Sequence, residues 1–431
     1  MTEDTERWNT PALLRPRWLR RLGVSVVILA MLWLVGVWLL QPERSVPVLL
    51  DRLGAVLDLD IEATGKNEGR LRGAPQLVLR EVVARERGGG RVLLRAERVL
   101  VSLPWSTLRS RGADLTVRRV ELDAPQLDLT VLQDWLARRA SGGETRIPTL
   151  TDGLRIREGR LASGVDGGWR IDGIAIDLPA LHPEHAVAAR LRGRYVDAGT
   201  QVPFDLALAL TRPADGAGVG IAGRATVRRE GWGLPAALVL SGPLRLGRAP
   251  DDAVIALVPA RFGASSAYVA GDTRLPFSLG LHGPLRWQDG ALRLAPAAAA
   301  LRGGGMLPSF DATGRLAVGD RLALDLRGRM PDWPDGWPAL PAPIGVSAAP
   351  LPFTLRYDGA TNLSDEIALE LARDATRFDA RFRIDDVLAW MSTQEGAQGG
   401  SPLPPLDATL RTPQLEISGA TLEGVEIEVR R

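Results

Sequence analysis

A period-two alternation of apolar and polar residues, repeated from Leu59 to the end of the chain, constrains the fold most. The apolar positions are Val99, Val101 and Leu103; Leu127, Leu129 and Val131; Leu206, Leu208 and Leu210; Leu322, Leu324 and Leu326; Phe378, Ala380, Phe382 and Ile384; and Val425, Ile427 and Val429. Successive side chains of a strand point to opposite faces, so each segment predicts a half-buried strand with one apolar face. Turn signals such as Asp289-Gly290 and Asp358-Gly359 separate the segments, which favours hairpins and meanders.

Helical patterns are few in the same part of the chain. The two candidates are residues 131–140, which end at a Ser-Gly-Gly turn, and residues 384–391. An α/β fold with parallel strands needs a helix between most strands, and those helices are missing from the pattern. The sequence therefore predicts a mainly β protein with a few short helices, whose apolar sheet face closes on itself or on something else.

A single long apolar segment precedes the strands. Residues 22–40 read LGVSVVILAMLWLVGVWLL without a charge, and as a helix they would span about 28 Å, close to the hydrocarbon thickness of a bilayer. The anchor side chains would include Leu22, Val26, Ile28, Leu32, Trp33, Val37 and Leu40. The topology would be set by the preceding Arg15, Arg17, Arg20 and Arg21. Basic residues favour the cytoplasmic side, so the pattern predicts a single-pass anchor with the body translocated.

A cleaved signal peptide is the alternative to this anchor. Its apolar region is usually shorter and ends in a small-x-small site, which residues 38–41 (WLLQ) do not supply. The following residues 46–57 have helical spacing and predict a short helix. That helix either lies near the membrane surface or plugs the end of the sheet, and packing alone explains it.

Composition argues against most catalytic and nucleic-acid functions. The chain has no cysteine and a net charge of only +2, which excludes disulfides and thiolate metal sites and disfavours nucleic acid as a partner. The segment His182-Pro183-Glu184-His185 superficially suggests a metal site, but its proline favours a surface loop. Neither a nucleophile elbow nor a phosphate-binding loop occurs. We therefore expect no enzymatic activity, no metal and no cofactor.

Three stretches resemble a known family. They are residues 69–79 (GRLRGAPQLVL), 96–108 (AERVLVSLPWSTL) and 115–129 (LTVRRVELDAPQLDL), which follow the apolar segment and the short helix. In this order they resemble the start of the AsmA-like proteins of Gram-negative bacteria, relatives of the bridge-like lipid transfer proteins. Residues 408–417 and 419–426 are similar to the repeat style of that family. The first 130 residues or so carry most of the resemblance.

The resemblance implies an inner-membrane protein with a cytoplasmic N-terminus and a periplasmic body. The body would be an elongated, curled antiparallel sheet, an open groove whose apolar face accommodates phospholipid acyl chains. The lining would include Val99, Val101, Leu103, Leu115, Val117, Leu127, Leu129, Leu206, Leu208, Leu210, Leu322, Leu324 and Leu326. Membrane phospholipid is the expected partner, with envelope or outer-membrane assembly proteins as further partners and lipid transport as the role.

The expected organisation has six parts. They are a cytoplasmic N-terminus (1–21), the anchor (22–40), an N-terminal AsmA-like module with a capping helix (41–145), a repetitive groove (146–330), a connector rich in Pro and Trp (331–352) and a C-terminal β segment (353–431). The chain is shorter than family members that could bridge an envelope. Two other functions remain open: a structural part of the envelope or of a type II secretion system, acting through its sheet edges, and an envelope hydrolase.

Overall fold

The computed structural model describes twelve stretches of the chain. They are residues 59–70, 73–88, 90–109, 116–138, 149–163, 168–248, 253–288, 291–319, 321–337, 349–394, 405–417 and 420–430. The predicted anchor at 22–40, the four arginines before it, the short helix at 46–57 and Leu115 all lie outside these residues. Among the helices that are described, none combines the length and apolar character needed to cross a membrane.

Strands dominate the described chain, as the alternation predicts. The first ten are β1 (Leu59–Ala63), β2 (Glu68–Arg70), β3 (Gln76–Glu86), β4 (Val92–Ser102), β5 (Thr116–Val117), β6 (Arg119–Asp123), β7 (Gln126–Asp128), β8 (Thr149–Leu150), β9 (Leu154–Ala162) and β10 (Arg170–Leu178). The next seven are β11 (Val187–Asp197), β12 (Thr200–Leu210), β13 (Gly218–Arg229), β14 (Trp232–Arg248), β15 (Ala253–Ala270), β16 (Thr273–Gln288) and β17 (Ala291–Arg302). The last seven are β18 (Phe310–Val318), β19 (Leu322–Met330), β20 (Leu351–Gly359), β21 (Ile367–Arg373), β22 (Thr376–Phe382), β23 (Asp407–Ile417) and β24 (Ala420–Val429).

Three short helices interrupt the strands within the described residues. They are α1 (Trp105–Arg109), α2 (Leu129–Arg138) and α3 (Ile384–Gln394). The helices predicted at 131–140 and 384–391 match α2 and α3. The strand predicted over Leu127, Leu129 and Val131 is wrong in its second half, because β7 ends at Asp128. The Asp128 carboxylate accepts a hydrogen bond from the backbone N–H of Val131 at 3.0 Å, which caps the helix and favours its start at this point.

Twenty-two of the strands form one curled, mixed sheet. From β9 to β24 each strand pairs antiparallel with the next, so this part is the predicted meander. The expectation of a purely antiparallel sheet is wrong at the N-terminal end, where β6 and β7 pair parallel with β9. Parallel neighbours need a crossover connection, and α2 lies in the connection between β7 and β9.

Two packed clusters of apolar side chains lie at different places along the sheet. The first occupies the N-terminal strands and α2, where Val120 is 1% and Trp135 is 4% exposed. The second joins β17–β21, with Leu371 at 1% and Phe353 at 6% exposure. Phe353 meets Phe310 edge to face, with ring centroids 5.2 Å apart. Both clusters close the apolar face with the protein's own side chains.

The sheet curls towards its apolar face between these clusters. Arg229 at the end of β13 donates a hydrogen bond to the carbonyl of Asn362, beyond β20, at 3.3 Å. In a flat sheet, β13 and β20 would lie about 34 Å apart, at about 4.8 Å per strand. The contact therefore requires strong curvature, which the right-handed twist accumulated over seven strand-to-strand steps supplies.

The connector predicted at 331–352 is described at both of its ends. Its first part follows β19, and Trp333 and Trp337 meet edge to face with centroids 4.9 Å apart. The indole N–H of Trp337 donates to the Met306 carbonyl at 2.8 Å. These contacts fasten the start of the connector to the loop between β17 and β18.

Candidate functional site: the apolar face of the curled sheet

One row of residues crosses the sheet from β11 to β24 without a polar side chain. Its members are neighbours in the strand register, one from each strand. The row is Ala189, Leu208, Ile221, Leu240, Phe262, Leu281, Ala299, Ala312, Gly328, Phe353, Leu371, Phe378, Leu410 and Ile427. Cross-strand neighbours on one face touch each other, so the row forms a continuous apolar band.

Burial divides this band into an open and a closed section. The six members on β11–β16 are half-buried, whereas Ala299, Ala312, Phe353 and Leu371 are buried in the second cluster. Among the described residues, neither packed cluster extends over β11–β15, and Leu281 of β16 packs against the edge of the second cluster. We call this half-exposed section, the apolar face of β11–β16, the trough.

The predicted lining residues fall into three groups. Leu206, Leu208 and Leu210 lie on β12, half-buried, on the face of the trough. Leu322 and Leu324 lie half-buried on the same face of β19, outside the trough as defined, and Leu326 is buried in the second cluster.

The third group belongs to the N-terminal module. The structure places Val99, Val101, Leu103 and Val117 in the first cluster, at 8% exposure or less. Leu127 is half-buried in β7, which lies between β4 and β9, and Leu129 begins α2. These side chains support the packed module, so the trough is shorter than the sequence suggests.

Sequence reasoning missed most of the trough. The predicted lining lacks Ile221, Leu240, Phe262 and Leu281, although each alternates with smaller or polar neighbours. Glycine and alanine positions such as Gly223 and Ala264 dilute the period-two signal in these strands. A register-based comparison of neighbouring hairpins would have revealed them.

Aromatic side chains and one arginine gather where β10–β15 end. Trp169 stacks with Tyr195 at 5.9 Å between centroids, and Trp232 lies 6.0 Å from Tyr268. The Arg229 guanidinium lies 5.7 Å from the Trp232 ring centroid, a cation–π contact. Each of these side chains has an apolar body and a polar end group, which suits the boundary between an apolar face and water.

The two tyrosine hydroxyls at this rim stay protonated near neutral pH. Burial, followed by the charge of Asp197, raises the pKa of Tyr195 to about 12. Its hydroxyl donates to the Asp197 carboxylate at 3.2 Å. Burial and then the charge of Asp385 raise the pKa of Tyr268. Asp385 belongs to α3, so the start of this helix lies near Tyr268 of β15.

The paired histidines lie in a loop, as their proline suggests. The His182 and His185 rings are 4.1 Å apart, and His182 Nδ1 accepts a hydrogen bond from the Glu184 backbone N–H at 3.1 Å. Within the described ranges no cluster of three or more metal-binding side chains occurs. The local contacts account for the position of both rings.

The strands of the trough also border shallow depressions, of about 570 Å³ over β10–β14 and about 750 Å³ over β15–β19. Their exposed lining includes Ala207, Ala222 and Val239, which lie on the face opposite the trough, and charged Arg190 and Arg327. Short side chains offer little apolar area, and these charges interrupt it. The face with the leucines therefore offers the larger continuous apolar surface.

Comparison with known proteins adds no relative. No protein-family model matches the chain, and no curated protein or solved structure matches it.

Proposed function

We propose that the protein holds phospholipid acyl chains in the trough and serves lipid transport between membranes or assembly of the outer membrane. In this proposal residues 22–40 anchor the chain in a bacterial inner membrane and the sheet lies in the periplasm. The observation that carries the proposal is the half-exposed leucine face of β11–β16, flanked by two sections that the protein fills itself.

Acyl chains match the chemistry of this surface. The row contributes aliphatic and aromatic groups without a charge, so its occupant needs no hydrogen bonds from it. Each methylene transferred from water to such a surface contributes about 0.8 kcal/mol. The Tyr268 hydroxyl and the remaining N–H groups of Arg229 at the rim offer donors for the polar end of a lipid.

Two substitutions on one strand test the proposal. Leu208→Asp places a charge on the trough face of β12, whereas Ala207→Asp places the same charge on the exposed opposite face. The full chain, extracted in mild detergent, should co-purify with phospholipid detectable by mass spectrometry. We expect Leu208→Asp to lose most of that lipid, at least about tenfold, because a carboxylate is costly against hydrocarbon. We expect Ala207→Asp to keep it.

The lipid proposal fails if the parent chain carries no phospholipid, or if both variants carry as much as the parent. Thermal unfolding of the three proteins, followed by tryptophan fluorescence, shows that the comparison is made on folded chains. A bound lipid would also raise the unfolding temperature of the parent, since a ligand of the native state stabilises it.

A protein-contact function is the second candidate, and one observation favours it. Among the described strands, β24 pairs only with β23, so the other edge of this ten-residue strand is free. An uncovered edge can receive a strand from a partner. Crosslinking from Glu426 to envelope or secretion proteins, together with absence of co-purifying lipid, would favour this scaffold role.

A further inference from the structure

The three longest strands of the sheet lie side by side. At one end β14 and β15 run on past β13, whereas β17–β20 reach the same level as β16. β14, β15 and β16 have 17, 18 and 16 residues, whereas β12 has 11 and β18 has 9. The register shifts between Leu257 and Ala260 in β15. Beyond that shift the apolar face continues, because Leu285 of β16 pairs with both Leu257 and Leu294. We call this end of β14–β17, residues 244–248, 253–257, 285–288 and 291–294, the tip.

Large apolar side chains are exposed at the tip. Ile255 is 44% and Trp287 is 40% exposed, and the two residues face each other across β15 and β16. Leu292 of β17 is the next neighbour of Trp287. Adjacent exposed Ile and Trp side chains are costly in water and mark a surface that meets another apolar phase.

Arginines occupy the opposite face of the same tip. Arg286 pairs directly with Arg293, and Arg245 lies one strand further, beyond Ala256. All three are exposed, and none forms an ion pair with another described residue. Two like charges directly opposite each other destabilise a sheet. An anion that bridges Arg286 and Arg293 would remove that repulsion.

We propose that the tip docks on the surface of a membrane rich in anionic phospholipid. Trp287 and Ile255 enter the interface, where indole and aliphatic groups are favoured, while the arginines meet lipid phosphates. A soluble acidic protein would satisfy the arginines but would not require the exposed Trp–Ile pair. A neutral membrane would accept the apolar pair but leave the arginines repelling each other. An anionic bilayer satisfies both faces.

The docking goes beyond the acyl-chain proposal, and each can fail alone. Because the face of the tip continues the face of the trough, docking would bring a membrane to one end of the lipid site. That consequence rests on the proposed function, whereas the docking itself does not. The loops next to the tip contain Asp251, Asp252 and Asp289, which lie outside the described residues, so the arginines are tested separately.

Vesicle capture tests the docking. The full chain is reconstituted in phosphatidylcholine vesicles, and fluorescent acceptor vesicles contain either phosphatidylcholine alone or phosphatidylcholine with phosphatidylglycerol. We expect capture of the anionic acceptors and little capture of the neutral ones. The double variant Ile255→Ser, Trp287→Ser should reduce capture at least about tenfold. Arg286→Gln with Arg293→Gln should also reduce it and weaken its dependence on salt.

Two controls separate the possible explanations. Val239→Ser removes an apolar side chain that is 56% exposed on β14, away from the tip face, and should leave capture unchanged. Leu208→Asp, which disables the trough, should also leave capture unchanged. Equal capture of neutral and anionic acceptors, or full capture by both the Ile255/Trp287 and the Arg286/Arg293 variants, would overturn the docking proposal.

Discussion

At the scale of single residues, two arginines hold three strands of the N-terminal module together. Arg98 on β4 bonds Asp123 at 2.8 Å and Glu121 at 3.4 Å, both on β6. Arg157 on β9 reaches the same Asp123 at 3.3 Å. Only 11% of the Glu121 side chain is exposed, so removal of Arg98 would leave a nearly buried carboxylate with fewer partners.

Arg98→Met should therefore lower the free energy of unfolding by about 1–2 kcal/mol, a value reduced by partial solvation of the pair. Methionine keeps the apolar stem, which isolates the loss of the guanidinium. The measurement is urea unfolding of the full chain in detergent. Arg430→Met is the control, because the side chains of the Arg430–Glu428 pair are 78% and 56% exposed and solvent screens such a pair, so its loss should be clearly smaller. Equal losses in the two variants would contradict the argument.

The same network predicts how stability depends on acid. Burial acts to raise the pKa of Asp123, but the hydrogen bond and charge of Arg98 outweigh it and the pKa is lowered. A carboxyl with a lowered pKa in the folded state adds stability that is fully present above its unfolded value, about 3.9. That stability is lost as the pH falls through the folded value. Between pH 5 and 3, Arg98→Met should therefore lose less unfolding free energy than the parent, and an identical slope would contradict this.

At the scale of elements, the alternation predicts the positions of most strands, but it does not predict which strands pair with each other. The segments around Leu206, Leu322 and Phe378 are strands because the period of two is clear there. The parallel crossover through α2 has no comparable signal, since it depends on contacts distant in sequence. Leu129 shows the limit well. Leu129 continues the alternation of β7, but the Asp128 carboxylate before it caps a helix, so α2 begins at Leu129.

Asp128→Ala tests that competition. Loss of the bond from the Val131 N–H to the Asp128 carboxylate should destabilise α2 and lower the unfolding free energy by about 1 kcal/mol. Asp128→Asn, which keeps an accepting oxygen, should retain most of it. Thermal unfolding followed by tryptophan fluorescence measures both, because Trp135 of α2 lies in the first cluster. Similar losses in the two variants would assign the effect to charge rather than to capping.

At the scale of the whole molecule, burial along the sheet depends on its curl, which the sequence could not predict. Val101 and Leu208 show similar alternation, yet Val101 is 2% exposed and Leu208 remains half-buried. The difference comes from what lies over each strand. Helix α2 packs against the N-terminal strands, whereas the apolar face of β12 points to the interior of the curl. Cumulative twist, register shifts and the contact between Arg229 and Asn362 set that geometry, and none of them leaves a local pattern.

The curl gives a distance that can be measured in the full chain. Because the protein has no cysteine, Glu230→Cys and Asn362→Cys place two spin labels without a background. Glu230 follows Arg229, which bonds the Asn362 carbonyl at 3.3 Å, so electron paramagnetic resonance should give a label separation below about 20 Å. A flat or weakly curved sheet would place the two strands about 34 Å apart.

A second labelled pair makes this measurement specific to the curl. Labels at Arg190→Cys and Ala222→Cys lie on β11 and β13, only two strands apart and level in the strand register, and their separation is short in a flat sheet as well as in a curled one. A short distance in both pairs is the result that the curl requires. A short distance in the second pair alone would mean that the sheet stands open at Arg229, and the trough would then lack its facing wall.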